Sequence, residues 1–102
     1  MQVDFLIEAE EDILSAHDWY ESKRAGLGAD FELCLEASLE RIQLFPESCP
    51  IKYRNCRLGL ISHFPYGVIY TISEKMIIVI AVFHLKRNPK SITSQISKRI
   101  KK

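Results

Sequence analysis

The stretch "MIIVIAVFHLKRNP" (residues 76–89) decides the fold. From Met76 to Phe83 it is apolar at every position, with no polar residue on either parity. A strand on a half-solvated sheet alternates; a strand covered on both faces does not. This run therefore reads as a strand over residues 76–86, apolar on both faces, ended by Pro89. Its exit carries His84, Lys86 and Arg87. Either the chain is simply meeting water there, or the strand delivers charged groups to a site.

Working back from this strand, the period stays at two. "YGVIYTI" (66–72) is the preceding strand, and "SEK" is a short hairpin loop between the two. "YRNCRLGLISHF" (53–64) reads as one strand, or a bulged pair around Gly59. "PESCP" before it is a loop. Upstream the period becomes helical. Residues 8–24 place Ala9, Ile13, Ala16 and Tyr20 on one stripe that Trp19 widens, with Glu8, Glu10, Glu11 and Asp12 in the first turn and Lys23 and Arg24 in the last. Gly26 reads as the residue just past the helix end. Residues 29–45 form a second amphipathic helix, with Asp30 as N-cap and Phe31, Cys34, Leu35, Ser38, Leu39, Ile42 and Phe45 on one face. Pro46 ends it. "QVDFLI" (2–7) alternates as a short first strand. The order is β-α-α-β-β-β, an α+β domain whose helical hairpin covers one face of a mostly antiparallel sheet. The other face, or its edge, is left to bind. In the basic tail, residues 90–102, Ile92, Ile96 and Ile100 recur every four, a short amphipathic helix with Ser91 as cap; alone in water such a helix is marginal, which leaves it docked on the sheet, ordered by a partner, or frayed.

Length and composition set limits. The 102 residues make one domain, and 47% apolar content is that of a folded one. No apolar run approaches the roughly 20 residues of a spanning helix. The acidic start has neither the basic region nor the cleavage site of a secretory signal. Cys34, Cys49 and Cys56 are odd in number and lack CxxC spacing, which argues against a disulfide framework or a zinc site and fits a reducing cytoplasm. The net charge of +1 hides an asymmetry. Residues 1–50 hold three Lys/Arg against twelve Asp/Glu, a balance of −9, and residues 51–102 hold eleven against one, a balance of +10. The basic half points to an acidic or polyanionic partner, unless the two fields cancel in the fold.

The candidate chemical groups lie in that basic half. Arg57, Gly59, Ile61 and His63 share one strand parity; Leu58, Leu60 and Phe64 take the other and are expected under the hairpin, so Arg57 and His63 should face away from it. His84 shares a parity with Val82 and Ile80. Tyr66 and Tyr70 share another face, with Tyr53 near, for stacking or for core packing. Metal-free RNA cleavage needs a base, an acid and a cation on the phosphate. His63 and His84 suit the first two roles, and Arg57 or Arg87 the third. Spacing alone does not bring them together. No metal-ligand spacing, phosphate loop or nucleophile elbow is present, so no cofactor is expected.

Four pieces in this order, "EAEEDILSAHDWYESKRAGLGADF", "LERIQLFPESCP", "FPYGVIY" and "IIVIAVFHLKRNP", resemble the RelE/ParE superfamily of type II toxin–antitoxin toxins, often labelled plasmid stabilisation proteins. The resemblance spans about residues 5 to 89. It implies a small cytoplasmic toxin in complex with a cognate antitoxin whose C-terminal segment wraps it. In the superfamily ParE-like members poison DNA gyrase, and RelE-like members cut mRNA in the ribosomal A site. "FPYGVIY" and His84-x-x-Arg87-x-Pro89 look ParE-like, and no aromatic follows Phe83, where ribonuclease members commonly carry one. The resemblance thus implies gyrase as target, with Lys86, Arg87, Lys98 and Arg99 as contacts. The alternatives are a ribonuclease using His63, His84, Arg57 and Arg87, or a non-toxic relative that only binds its antitoxin.

Overall fold

The computed structural model describes residues 1–100. The elements are β1 (Gln2–Phe5), α1 (Ile7–Lys23), α2 (Leu27–Leu44), β2 (Ile51–Tyr53), β3 (Cys56–Leu60), β4 (Tyr66–Ser73), β5 (Met76–His84) and α3 (Pro89–Ile100). One five-stranded sheet runs in the order β1-β5-β4-β3-β2. β1 pairs with β5 in parallel; every other pairing is antiparallel. The α+β class and the helical hairpin agree with the sequence reading. The segment 53–64 divides differently. A turn at Arg54–Asn55, with Arg54 at φ 54, splits off the short edge strand β2, and β3 stops at Leu60. β3 stays in regular register through Gly59, which has no bulge.

The hairpin connection shows why the helices meet where they do. Gly26 adopts φ 89, a left-handed conformation natural to glycine, and α2 starts immediately after it. The Glu21 carboxylate reaches across from α1 and accepts the N–H groups of Gly26 (2.9 Å) and Gly28 (3.0 Å). These donors would otherwise be unpaired at a helix start, so Glu21 does the capping that the sequence assigned to Asp30, which sits within the first turn. Gly28 is glycine because a Cβ there would lie 2.8 Å from the His17 ring.

The sheet is covered on both faces. On one, Val68, Tyr70, Ile77, Val79 and Val82 pack with Ala9, Ala16, Tyr20, Phe31, Leu35 and Ile42 of the hairpin. On the other, Cys56, Ile69, Ile80, Ala81 and Phe83 pack with Ile92 and Ile96 of α3. The tail helix is therefore docked, and burial of its two isoleucines stabilises it by about 1.5–3 kcal/mol each. Its cap is Asn88 rather than Ser91: the Lys90 N–H donates to Asn88 Oδ1 at 2.8 Å, and Pro89 takes the first helical position. Two-sided cover accounts for the apolar run in β5, which is buried from Val79 to Phe83. β5 lies second from the edge, between short β1 and β4.

A bulge in β5 re-aims its end. Ile69 pairs with Ala81 and Tyr70 with Val79, which leaves Ile80 as the extra residue. Ile80 and Ala81 consequently both face α3, and Val82 returns to the hairpin face. His84 follows Val82, as its parity requires, but is separated from Ile80, with which the unbulged pattern had grouped it.

Candidate functional site

β1 reaches only as far as Val79, through the Leu6 N–H bond to the Val79 carbonyl at 3.0 Å. Beyond that point the outer edge of β5 has no strand partner, and side chains take over. Asp12 of α1 accepts the Val82 N–H through Oδ2 at 3.0 Å. Arg99 of α3 donates to the Ile80 carbonyl at 3.0 Å and grips Asp12 with both arms, at 2.6 and 3.1 Å. The pair is largely sheltered, with 13% of the Arg99 side chain and 19% of the Asp12 side chain exposed. A carboxylate and a guanidinium thus complete the ladder where the neighbouring strand ends, and they tie the two helical layers together around the edge of the sheet. Unpaired strand edges are otherwise templates for unwanted pairing.

Between α1 and this edge runs an open groove of about 420 Å³. Asp12, Ser15, Ala16 and Trp19 form one wall; Tyr66, Val82, Phe83, His84 and Arg87 form the floor and the other wall. Four aromatic side chains line it: Trp19, Tyr66, Phe83 and His84. Tyr66 and His84, opposite one another in the β4–β5 ladder, meet edge to face at 5.3 Å. Trp19 is 55% exposed, and the Lys23 ammonium lies 4.8 Å over its ring. Burial pushes the Tyr66 hydroxyl pKa up, and the nearby Arg87 charge works against that shift.

The tautomer of His84 follows from its neighbour. The Lys86 backbone N–H, which can only donate, points at His84 Nδ1 at 3.1 Å. Nδ1 therefore accepts, and the neutral ring carries its proton on Nε2. Nε2–H is thus the donor that His84 presents. Arg87 closes the turn out of the sheet, with its N–H on the His84 carbonyl (3.0 Å) and one guanidinium arm on Gln95 (3.2 Å). The side chain is exposed.

The other residues singled out from the sequence lie apart. Arg57 faces the hairpin side, the reverse of the expected orientation: its strand neighbour Gly59 lies where a Cβ would meet Ile42 of α2 at 3.1 Å, whereas Leu58 packs toward α3. Arg57 donates to the carbonyls of Glu47 (3.0 Å) and Cys49 (2.7 Å) and so clamps the loop after α2, where the Tyr70 hydroxyl also donates to the Pro46 carbonyl at 2.7 Å. Burial drives the Tyr70 pKa strongly upward, and neighbouring Cys49 adds to it. His63 sits at φ 69 in the loop after β3, exposed, beside a different hollow lined by Leu27, Asp30, Leu33, Cys34 and Phe64. Of the four residues considered for RNA cleavage, the fold brings His84 and Arg87 into one groove and places Arg57 and His63 elsewhere. Lys86 and Lys98 are exposed. Arg99, expected as a surface contact, is instead turned inward on Asp12. Tyr66, named from the sequence for stacking or core packing, lines the groove as well as packing against the core, and Asp12, Ser15 and Trp19 complete it, a role the sequence reading did not give them. Among the described residues no group of His, Cys, Asp and Glu is gathered to hold a metal ion, and no helix is long and apolar enough to cross a membrane.

Comparison with known proteins adds a family to this geometry. No curated protein matches the chain. Among solved structures the chain is similar to one from the chromosomal ParDE TA system of P. aeruginosa, with a TM-score of 0.75 and 12% identity, covering 84% of this chain and 97% of that one; at that identity the likeness is one of fold. The family model described as the ParE toxin of the type II toxin–antitoxin system parDE matches residues 3–89. That span takes in the whole sheet but for the first residue of β1, both hairpin helices and the whole of the groove, and the chain accordingly belongs to the ParE toxins of type II toxin–antitoxin systems.

Proposed function

We propose that this toxin arrests growth by binding and poisoning DNA gyrase, and that a cognate antitoxin silences it by covering its exposed apolar surface. The observation that carries the reading is that the fold separates the residues a ribonuclease would need: only His84 and Arg87 line the groove. A ribonuclease built on His63, His84, Arg57 and Arg87 needs a shared site. Arg57 is committed to the 47–49 carbonyls, and His63 lines a separate hollow. A groove that offers donors and aromatic surface suits binding better than proton abstraction. For the antitoxin, the flank of α2 supports a docking role. Leu33, Phe45 and Leu60 are each more than half exposed there, beside the hollows lined by Cys34, Phe64, Cys49 and Gly59. Exposed apolar side chains beside such hollows suit an interface.

Two assays test this. Purified toxin should inhibit gyrase supercoiling and accumulate cleaved DNA, and the product of the neighbouring reading frame should co-purify with it and reverse the effect. Mapping of mRNA 5′ ends after brief induction should show no new cuts within translated codons. Growth arrest with unaffected gyrase and fresh codon-centred cuts would transfer the chain to the ribosome-dependent nucleases. Soluble, folded protein that causes no arrest would leave it a binding module only.

A further inference from the structure

We infer that the groove between α1 and the free edge of β5 is a receptor for an acidic, extended peptide segment of a protein partner, which seats a carboxylate among His84, Arg87, Ser15 and Tyr66 and an apolar side chain against Trp19. This deepens the reading above and rests on it only in taking the chain to act by binding protein. The argument is a census of the polar groups that line the groove. His84 offers Nε2–H, because Nδ1 is already an acceptor. Arg87 offers the guanidinium donors that Gln95 does not occupy. Tyr66 and Ser15 offer hydroxyls, and Trp19 can only donate. The one anion on the wall, Asp12, is neutralised by the bidentate Arg99 and has its Oδ2 shared with the Val82 N–H. Donors with a single uncompensated cation make an anion site, and a planar fork such as that of Arg87 matches a carboxylate.

The surroundings favour peptide over nucleic acid. Ala16, Val82, Phe83 and the rings of Trp19 and Tyr66 make the groove largely apolar. Nucleic-acid tracks repeat their cations along the backbone, whereas only Arg87 supplies an uncompensated positive charge among the lining residues. Lys23, Lys86 and Lys90 stand close by in structure or sequence, as a rim that attracts acidic sequence without lining the groove. A short run of alternating acidic and apolar residues fits this layout.

The test uses the full chain and a capped peptide of alternating glutamate and leucine, followed by NMR at the Trp19 indole N–H and the His84 ring. The expected result is saturable shifts at both, at least tenfold weaker for the glutamine–leucine peptide. Arg87→Gln should weaken binding about tenfold, and Lys52→Gln, which removes the same charge from exposed β2, should change it less than twofold; far-UV circular dichroism confirms that both variants fold. Shifts that are equal for the glutamine peptide, or equal losses for the two variants, would overturn the inference. So would displacement of the peptide by an oligonucleotide with preference over a matched acidic competitor. A negative supercoiling assay with intact peptide binding would remove gyrase as the target and leave the groove's specificity standing. Active gyrase poisoning without peptide binding would do the reverse.

Discussion

Replacing Arg99 with methionine should destabilise the domain far more than an ordinary change on an exposed helix. The substitution keeps an apolar stem of similar length and removes three hydrogen bonds: two to Asp12, at 2.6 and 3.1 Å, and one to the Ile80 carbonyl at 3.0 Å. Removing one partner of a fully buried pair costs about 3–5 kcal/mol, because a charge is stranded. Here the side chains retain 13% and 19% exposure, and Asp12 keeps the Val82 N–H as a donor. Water can therefore recover part of the loss, and about 2–3 kcal/mol is expected. For a domain of this size that corresponds to roughly 10–20 °C in Tm.

Urea and thermal unfolding of Arg99→Met beside Lys98→Met gives the comparison. Lys98 is exposed on the same turn of α3 and should change stability by less than about 0.5 kcal/mol. Adding Asp12→Asn to Arg99→Met should recover about 1 kcal/mol, because asparagine keeps an acceptor for Val82 without a stranded charge. Hydrogen exchange at Val82 should quicken in the single variant. The reasoning is refuted if Arg99→Met and Lys98→Met unfold together, since α3 would then be held without Arg99, by Ile92, Ile96 and the bonds from Arg54 and Arg87, and the strand edge would need no plug.

Ile96→Ala empties a fully buried position beneath α3 and should cost about 2–4 kcal/mol in urea unfolding, with faster exchange confined first to residues 89–100. Gly28→Ala forces a methyl to within 2.8 Å of the His17 ring, so it should lower Tm, and His17→Ala in the same chain should restore most of the loss. The N–H groups of Gly26 and Gly28 hold the Glu21 carboxyl below its ordinary value of 4.5. A carboxyl depressed in the folded state contributes stability that is present above the unfolded value and lost as pH falls through the folded one. Glu21→Gln should therefore flatten the loss of stability with acid below about pH 4.5; an unchanged acid limb would remove Glu21 as the α2 cap.

The hairpin was legible because its two helices carry their own signals: an apolar stripe, opposite charges at the two ends of α1, and glycines at the break. β4 and β5 were legible from β-branched runs separated by a short turn. The edge was not. β2 is three residues long and is split from β3 by a turn whose Arg54 takes a positive φ, a conformation that a sequence does not announce at an arginine. The bulge at Ile80 was hidden for a related reason. Inside a run apolar at every position, an extra residue changes no pattern, yet it decides which way His84 points.

The reversed orientation of Arg57 and the inward turn of Arg99 share one cause. Without the tail helix on it, the sheet has one apolar face, and Leu58 must point at the hairpin and Arg57 away from it. α3 supplies a second apolar face, which takes Leu58, and the parity of β3 inverts. The same docking carries Arg99 around the edge of β5 to Asp12, 87 residues away in sequence. No local spacing encodes that meeting. What the sequence does hold is its cause: isoleucines at 92 and 96, which are worth burying only if the sheet is apolar on both sides, as the unbroken run from Met76 to Phe83 requires. Taken together, those two patterns dock α3, and docking α3 is what turns a basic tail into part of the groove's frame.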